Sequence, residues 1–68
     1  MDLNQIGQTI RLRRTSRKVR QEDLAEIAGI SVRTLRDIEN GVANPELKTL
    51  MMVCKVLGLR VQIEPVRL

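Results

Sequence analysis

Two short helical patterns divided by a single glycine constrain the fold of this chain more than any other feature of its sequence. Residues 21–28 place small and apolar side chains on one face, as a short amphipathic helix does. Gly29 follows, and a glycine just past a helix commonly adopts the left-handed conformation that ends it. Ser31 is an N-cap for a second helix over 32–40, which Gly41 ends in the same way. This spacing predicts two short helices joined by a tight turn, which is the layout of a helix-turn-helix.

Two more helices and a strand are predicted outside this segment. Residues 4–16 carry an apolar stripe of helical period after a capping-box signal at Asp2. A helix over 45–57 is predicted from Asn44 as its N-cap and a proline at its first position. Apolar and polar residues then alternate over 59–64, which is typical of a half-buried strand. The predicted fold class is mainly α: a four-helix bundle that contains the helix-turn-helix, followed by a C-terminal β-strand.

The small size of the chain limits how its core can be stabilised. The chain has 68 residues and no Phe, Tyr or Trp, so its core must be aliphatic. The single cysteine, Cys54, excludes an internal disulfide, and a lone thiol without histidine cannot form a zinc site. We therefore expect no cofactor and no metal, with self-association as the remaining reinforcement.

A homodimer would also give the predicted strand a partner. A lone strand leaves its backbone groups unsatisfied, whereas residues 59–64 of two copies can form a two-stranded ribbon. The fourth helix is apolar on most sides, so one of its faces is expected to meet the second copy. We predict a helix-turn-helix domain over 1–58 and a dimerisation strand and tail over 59–68. The expected interface side chains are Met52, Val53, Val56, Leu59, Val61 and Ile63.

Positive charge is concentrated in one segment of the chain. The net charge is +4, and residues 11–20 contain six arginines and lysines with no acid among them. Such a segment points to a polyanion, either nucleic acid or an anionic membrane surface, or else is a solvated basic face. No apolar run approaches the roughly 18 residues of a transmembrane helix, and we expect a soluble, cytoplasmic protein.

Within the basic segment, Arg14 continues the apolar stripe of the first helix. A cation that faces the core requires a carboxylate partner, because an unpaired buried charge is expensive. Glu39 is the candidate, and the two residues are predicted to form a structural ion pair. Other basic residues can contact phosphates, which position a protein on DNA without reading its sequence. These candidates are Arg17, Lys18, Arg20 and Lys48.

The stretch "QEDLAEIAGISVRTLRDIENG" resembles the Xre family of helix-turn-helix regulators, which includes the phage Cro and repressor DNA-binding domains. The resemblance covers roughly residues 6–57. The stretch "LKTLMMVCKVLGLRVQI" is similar to HipB-like antitoxins, which end in a strand that pairs across a homodimer. Together these resemblances imply a sequence-specific repressor of the antitoxin type, bound to a palindromic operator as a homodimer. The implied protein partner is a HipA-like kinase toxin.

The resemblance also implies which residues meet DNA. Base contacts fall on Ser31, Val32, Arg33, Arg36 and Asp37. Phosphate contacts fall on Gln21, Thr34 and Asn40, and the Arg14–Glu39 pair matches a structural pair of the family. Two positions depart from the family pattern: Lys18 replaces a glycine between the first two helices, and Arg20 replaces the Ser or Thr cap of the second.

Elementary chemistry agrees with the base contacts. An arginine can donate two hydrogen bonds to the edge of a guanine, and Val32 can pack on a thymine methyl group. Asp37 can accept from a cytosine amine, or it can hold Arg33 one helical turn away.

The sequence is compatible with two alternatives to an antitoxin and excludes a third. The first is a ligand-independent regulator that is unrelated to a toxin. The second is a protein-interaction module with little DNA binding, which the outward arginines Arg33 and Arg36 argue against. The third is an enzyme, which we reject because the chain has no histidine and no glycine-rich phosphate loop, and Cys54 has no activating base.

Overall fold

Four helices form the chain, in the order that the sequence predicts. The computed structural model describes residues 1–67, and Leu68, the last residue of the predicted tail, lies outside them. The helices are α1 (Leu3–Ser16), α2 (Gln21–Ala28), α3 (Val32–Glu39) and α4 (Leu47–Val56). Helix α1 packs on α3, and α2 packs on both α3 and α4. Within residues 1–67, no helix has the length and hydropathy to cross a membrane.

Side-chain caps begin α1 and α3 where they were predicted. The Gln5 amide N–H donates to Asp2 Oδ1 at 2.8 Å, and the Asp2 N–H donates back to Gln5 Oε1 at 2.9 Å. The Thr34 N–H donates to Ser31 Oγ at 3.0 Å. These bonds satisfy amides that a helix N-terminus leaves free, so the predicted N-caps of both helices are confirmed, although α1 begins at Leu3, one residue before the predicted range.

Helix α4 begins two residues later than predicted. Its N-cap is Glu46, with an extended backbone (φ −61°, ψ 145°), and Asn44 and Pro45 lie in the preceding loop. Ala43 packs against the core. The backbone around it, residues 42–46, is not helical. The proline therefore stiffens the approach to the helix instead of occupying its first turn.

All four helices end with the same hydrogen-bond arrangement. In each, a residue of positive φ stands at the C-cap or directly after it, and the next amide bonds to the carbonyl five residues before it. The residues of positive φ are Lys18 (58°), Gly29 (72°), Gly41 (73°) and Gly58 (70°). The closing bonds are Val19 to Arg14 (3.1 Å), Ile30 to Ala25 (3.0 Å), Val42 to Asp37 (3.0 Å) and Leu59 to Cys54 (2.8 Å). Lys18 thus occupies a position that glycine occupies in the other three helices.

An aliphatic core joins the four helices. Its buried members are Ile10, Leu24, Ala25, Leu35, Ile38, Val53 and Leu57. The prediction that Val53 belongs to a dimer interface is wrong, because the residue is 0% exposed within its own chain. Val53 and Leu57 lie four residues apart and share the inner stripe of α4, with Leu50 partly buried on the same stripe. Val56 and Leu59 are half-buried against this core, whereas Met52 is exposed.

Helices α1 and α3 meet through their backbones at Gly7. A Cβ atom built on Gly7 would lie 2.7 Å from the carbonyl oxygen of Glu39 and would also clash with that of Ile38. No other residue type fits at this contact. It fixes the C-terminal end of α3 against the N-terminal half of α1.

The tail, residues 59–67, contains no strand. The predicted strand over 59–64 is therefore absent from the single chain, because a strand exists only with a hydrogen-bonded neighbour and the described chain supplies none. Beyond the Leu59 amide, no backbone group of residues 60–67 is hydrogen-bonded to residues 1–67. Ile63 is 91% exposed and Val61 is 39% exposed.

Candidate nucleic-acid interface

Helix α3 has one buried side and one open side. Leu35 and Ile38 are fully buried and anchor the helix on the core. Arg33, Arg36 and Asn40 are exposed, and their spacing of three and four residues places them on one face. The open side of α3 therefore carries two guanidinium groups and an amide.

Two of the predicted base-contact residues, Ser31 and Val32, also stabilise the start of α3. The Ser31 hydroxyl caps the helix by accepting from the Thr34 amide, and it donates to Thr34 Oγ1 at 2.9 Å. Val32 is half-buried and packs against the core. The contacts predicted for Ser31, Val32 and Thr34 thus require side chains that already have partners in the free chain.

The side chains of the other predicted base-contact residues do not stabilise the fold in this way. Among the described residues, Arg33 and Arg36 form no ion pair and no side-chain hydrogen bond. Asp37 is half-buried and forms no ion pair with Arg33. In this structure Asp37 therefore does not hold the Arg33 side chain in place. The two arginines can reorient toward a ligand without breaking a contact of the fold.

A buried carboxylate ties three helices together behind this face. Glu39 is 6% exposed, and its two oxygens accept from Arg14 Nε at 2.6 Å and Nη2 at 2.9 Å. Gln21 Nε2 donates to the same carboxylate at 3.1 Å, and Arg14 Nη1 donates to the Val19 carbonyl at 2.9 Å. The hydrogen bond to Glu39 raises the pKa of Arg14 against the opposing effect of burial. The pair that the sequence suggested thus joins α1, the start of α2 and the end of α3.

An open polar cleft of about 560 Å³ lies over this carboxylate. Its rim carries the exposed side chains of Arg11, Arg20, Arg36 and Asn40, with Gln21 beside them. Arg20 also forms an exposed ion pair with Asp23 at 3.1 Å. Glu22 also lines the cleft and is exposed, but the three exposed arginines outnumber it. The excess of positive charge favours an oxyanion, and the guanidinium group is suited to phosphate.

Arg11 is a residue of this cleft that was not among the predicted contacts. It lies three residues before Arg14 on α1, so it shares the helix face that turns toward α3. The sequence had placed Arg14 on the inward face of α1, but only the packing of the helices shows that a cleft opens beside Arg11.

The remaining basic residues lie elsewhere. Arg13 Nε donates to the Leu57 carbonyl at 2.9 Å, and the Arg17 guanidinium lies beside Gly58, so both occupy the C-terminal end of α4. Lys18 is exposed at the corner between α1 and α2, and Lys48 lines a separate groove on α4. The cleft thus gathers Arg20, Gln21 and Asn40 from the predicted phosphate contacts, but not Arg17, Lys18 or Lys48.

No cluster of metal-ligating side chains occurs in the part of the chain that the structure describes. Cys54 is buried, and this burial raises the pKa of its thiol above the ordinary value. The thiol is therefore held in its protonated, unreactive form.

Comparisons with known proteins agree with this geometry. The model of the helix-turn-helix family HTH_3 matches residues 10–63. An immunity repressor protein of Bacillus phage phi105 is 45% identical over 56 residues, which are 82% of this chain but 39% of the repressor. An uncharacterized HTH-type transcriptional regulator, y4mF of Sinorhizobium fredii, is 31% identical over 58 residues, which are 85% of this chain and 76% of the regulator.

A solved structure shares the fold. The crystal structure of the clp gene regulator ClgR from Corynebacterium glutamicum superposes with a TM-score of 0.82 at 28% sequence identity. The match covers 85% of this chain and 62% of that one. The chain thus spans about two fifths of the phage repressor and under two thirds of the ClgR chain.

Proposed function

The chain belongs to the helix-turn-helix family, and from that premise we propose that it is a transcriptional repressor that reads operator DNA with α3. The observation that carries this proposal is the open side of α3, where Arg33 and Arg36 are exposed and without partners among the described residues. The second helix of a helix-turn-helix lies in the DNA major groove, where arginine side chains bind guanine edges. The names of the phage immunity repressor and the y4mF regulator support the same role.

The polar cleft supplies the phosphate contact in this proposal. Arg11, Arg20 and Asn40 line one cleft with Arg36 of α3, so we expect them to meet the DNA backbone when α3 enters the groove. Arg36 lies between the cleft and the open side of α3 and can serve either surface. Phosphate contacts supply affinity, and Arg33 supplies sequence preference.

Two substitutions separate these roles. A binding site is first obtained by selecting bound sequences from random DNA. Arg33→Ala should then reduce the preference for that site over random DNA by about 1–3 kcal/mol, because a bidentate base contact is lost. Arg11→Ala is the matched control on the cleft. It should weaken binding to all sequences alike, and it should lower the slope of log binding constant against log salt concentration by about one, because one phosphate contact is lost.

The outcomes are distinct. Unchanged site preference in Arg33→Ala would remove α3 as the reading element. The absence of DNA binding at low salt would instead favour the alternative of a protein-interaction module.

Two finer parts of the proposal concern partners. We propose a homodimer that binds a palindromic operator, because two recognition helices related by a two-fold axis reach major grooves about one helical turn apart. The antitoxin role, with a HipA-like kinase toxin as partner, stays a prediction that rests on the apolar spacing of residues 47–63. Copurification of the chain with a kinase encoded beside it would test that role.

A further inference from the structure

The outer face of α4 carries apolar side chains that the described chain leaves uncovered. Leu47 is 56% exposed, Met51 is 53% exposed and Met52 is 44% exposed. With Leu59 and Val61 of the tail they line an open groove of about 730 Å³. Single exposed apolar side chains are ordinary, but a contiguous set along one groove indicates an interaction surface. The charges around the groove indicate what binds there.

Three cations surround these apolar side chains. Lys48, Lys55 and Arg60 line the groove and are exposed, and none of them forms an ion pair within residues 1–67. No acidic residue lines the groove, since the acids nearest to it in sequence, Glu46 and Glu64, lie outside its lining. An apolar groove with an uncompensated basic rim is complementary to an apolar ridge that carboxylates flank.

We infer that this groove binds an amphipathic helix of a partner protein, with apolar residues on the face that it buries and Asp or Glu beside them. The stretch of α4 that lines the groove, residues 47–55, is about 12 Å long at 1.5 Å per residue. Apolar residues at positions i, i+4 and i+7 of a helix span about 10.5 Å, so two turns of the partner match this length. The inference goes beyond the proposed repressor and does not depend on it.

The groove favours a helix over an extended segment because of what α4 offers a partner. The backbone groups of α4 are bonded within their own helix, so an extended segment would gain no backbone partner along it. A helix satisfies its own backbone and requires only side-chain contacts. Met51 and Met52 supply these contacts, since an unbranched thioether side chain adapts to the shape of an apolar partner. The opposite wall begins at Leu59, whose amide bonds to the Cys54 carbonyl at 2.8 Å.

A second copy of the chain is a poorer occupant of the groove. Two grooves placed face to face would bring the three cations of one copy, Lys48, Lys55 and Arg60, against the same three of the other. Like charges oppose such a contact. Of the side chains expected at the homodimer interface, Val56 and Ile63 lie outside the groove, so the proposed homodimer is not confined to it.

Selection from a peptide library tests the inference on the full-length chain. The library displays helical peptides of about 15 residues, with leucine at positions i, i+4 and i+7 and with Glu and Lys randomised at the flanking positions. Glu should be enriched at the flanking positions, and the enriched peptides should bind more weakly as salt is added, because salt screens exposed charges. Enrichment of Lys, no preference between the two, or no bound peptide would each overturn the inference.

Two variants of exposed side chains locate the bound peptide. Met51→Gln removes an apolar contact from the groove and should raise the dissociation constant of the enriched peptides about tenfold. Lys55→Glu should change the selected residue from Glu to Lys at a flanking position. Arg11→Glu is the matched control, because it makes the same kind of charge reversal at the polar cleft and should leave the selected peptides unchanged.

The contrary result is equally specific. A selection that Arg11→Glu changes and Lys55→Glu does not would place the peptides on the polar cleft and overturn the inference. Sedimentation equilibrium of Met51→Gln supplies the other check. A dimer dissociation constant that rises in this variant, in a chain that selects no acidic peptide, would assign the groove to the second copy.

The failure of this inference differs from the failure of the proposed function. A chain that selects acidic peptides at the groove but binds no DNA would support the inference and remove the repressor. A chain that prefers its selected DNA site but selects no acidic peptide would overturn the inference and leave α3 as the reading element.

Discussion

Lys18 has the backbone that is least suited to its side chain. Its φ is 58°, and the equivalent residues of the other three helices are glycines. The left-handed conformation costs an ordinary residue about 1–2 kcal/mol, a cost that glycine does not carry. Lys18 therefore lowers the stability of the corner between α1 and α2 while adding a positive charge to it.

Lys18→Gly should raise the free energy of unfolding by about 0.5–1 kcal/mol, because the relief of strain exceeds the entropy that glycine adds to the unfolded chain. Lys18→Ala is the matched control, since it removes the same charge and keeps the strain. Urea unfolding followed by circular dichroism measures both variants. Equal stability of the two would show that the charge, and not the backbone, determines the effect.

The arrangement of the helices depends on Glu39 more than on any other polar group. Its buried carboxylate receives hydrogen bonds from α1 through Arg14 and from α2 through Gln21, and it lies in the last turn of α3. Removing one partner of a buried pair leaves the other charge uncompensated, which is more costly than the pair itself is favourable.

Glu39→Ala should therefore lower the free energy of unfolding by about 3–5 kcal/mol. Gln21→Ala removes a single hydrogen bond to the same carboxylate and should cost about 1 kcal/mol. The combined change of Arg14→Met with Glu39→Leu should be more stable than Glu39→Ala, because no unpaired charge remains. Thermal unfolding ranks the three proteins, and a Glu39→Ala variant as stable as Gln21→Ala would contradict a structural role for the pair.

For the whole molecule, the proposed homodimer predicts a stability that depends on protein concentration. A dimer that dissociates on unfolding has a Tm that rises with protein concentration. The Tm should therefore rise over a hundredfold range of protein concentration. Scanning calorimetry at several concentrations measures this. A wild-type Tm independent of concentration would mean that each chain unfolds alone.

The sequence predicted the parts of this molecule that local signals determine. Helix α2 has the predicted bounds, and the caps at Asp2 and Ser31 lie where their spacing placed them. The start of α4 was missed by two residues, because an Asn-Pro pair is compatible with a helix start and with a stiff loop, and the packing of Ala43 decides between them.

The features that depend on packing could not be predicted in the same way. A glycine inside a helical pattern ordinarily weakens the helix, yet Gly7 is the point at which α1 and α3 touch. Val53 reads as part of an outer face, because a helix that is apolar all round does not show which stripe faces the core. Arg11 joins the cleft only through the placement of α1 on α3. The strand over 59–64 requires a second chain and cannot form in one.

Different residues of α3 hold the helix in the fold and face outward, and this separation affects how such a protein can evolve. Leu35, Ile38 and Glu39 hold the helix, while Arg33 and Arg36 make no contact on which the fold depends among the described residues. Surface substitutions of this kind change stability by at most about half a kcal/mol. Substitutions at positions 33 and 36 therefore have little effect on folding. A duplicated copy of the gene can acquire a new DNA target by changing these two codons while the rest of the fold stays the same.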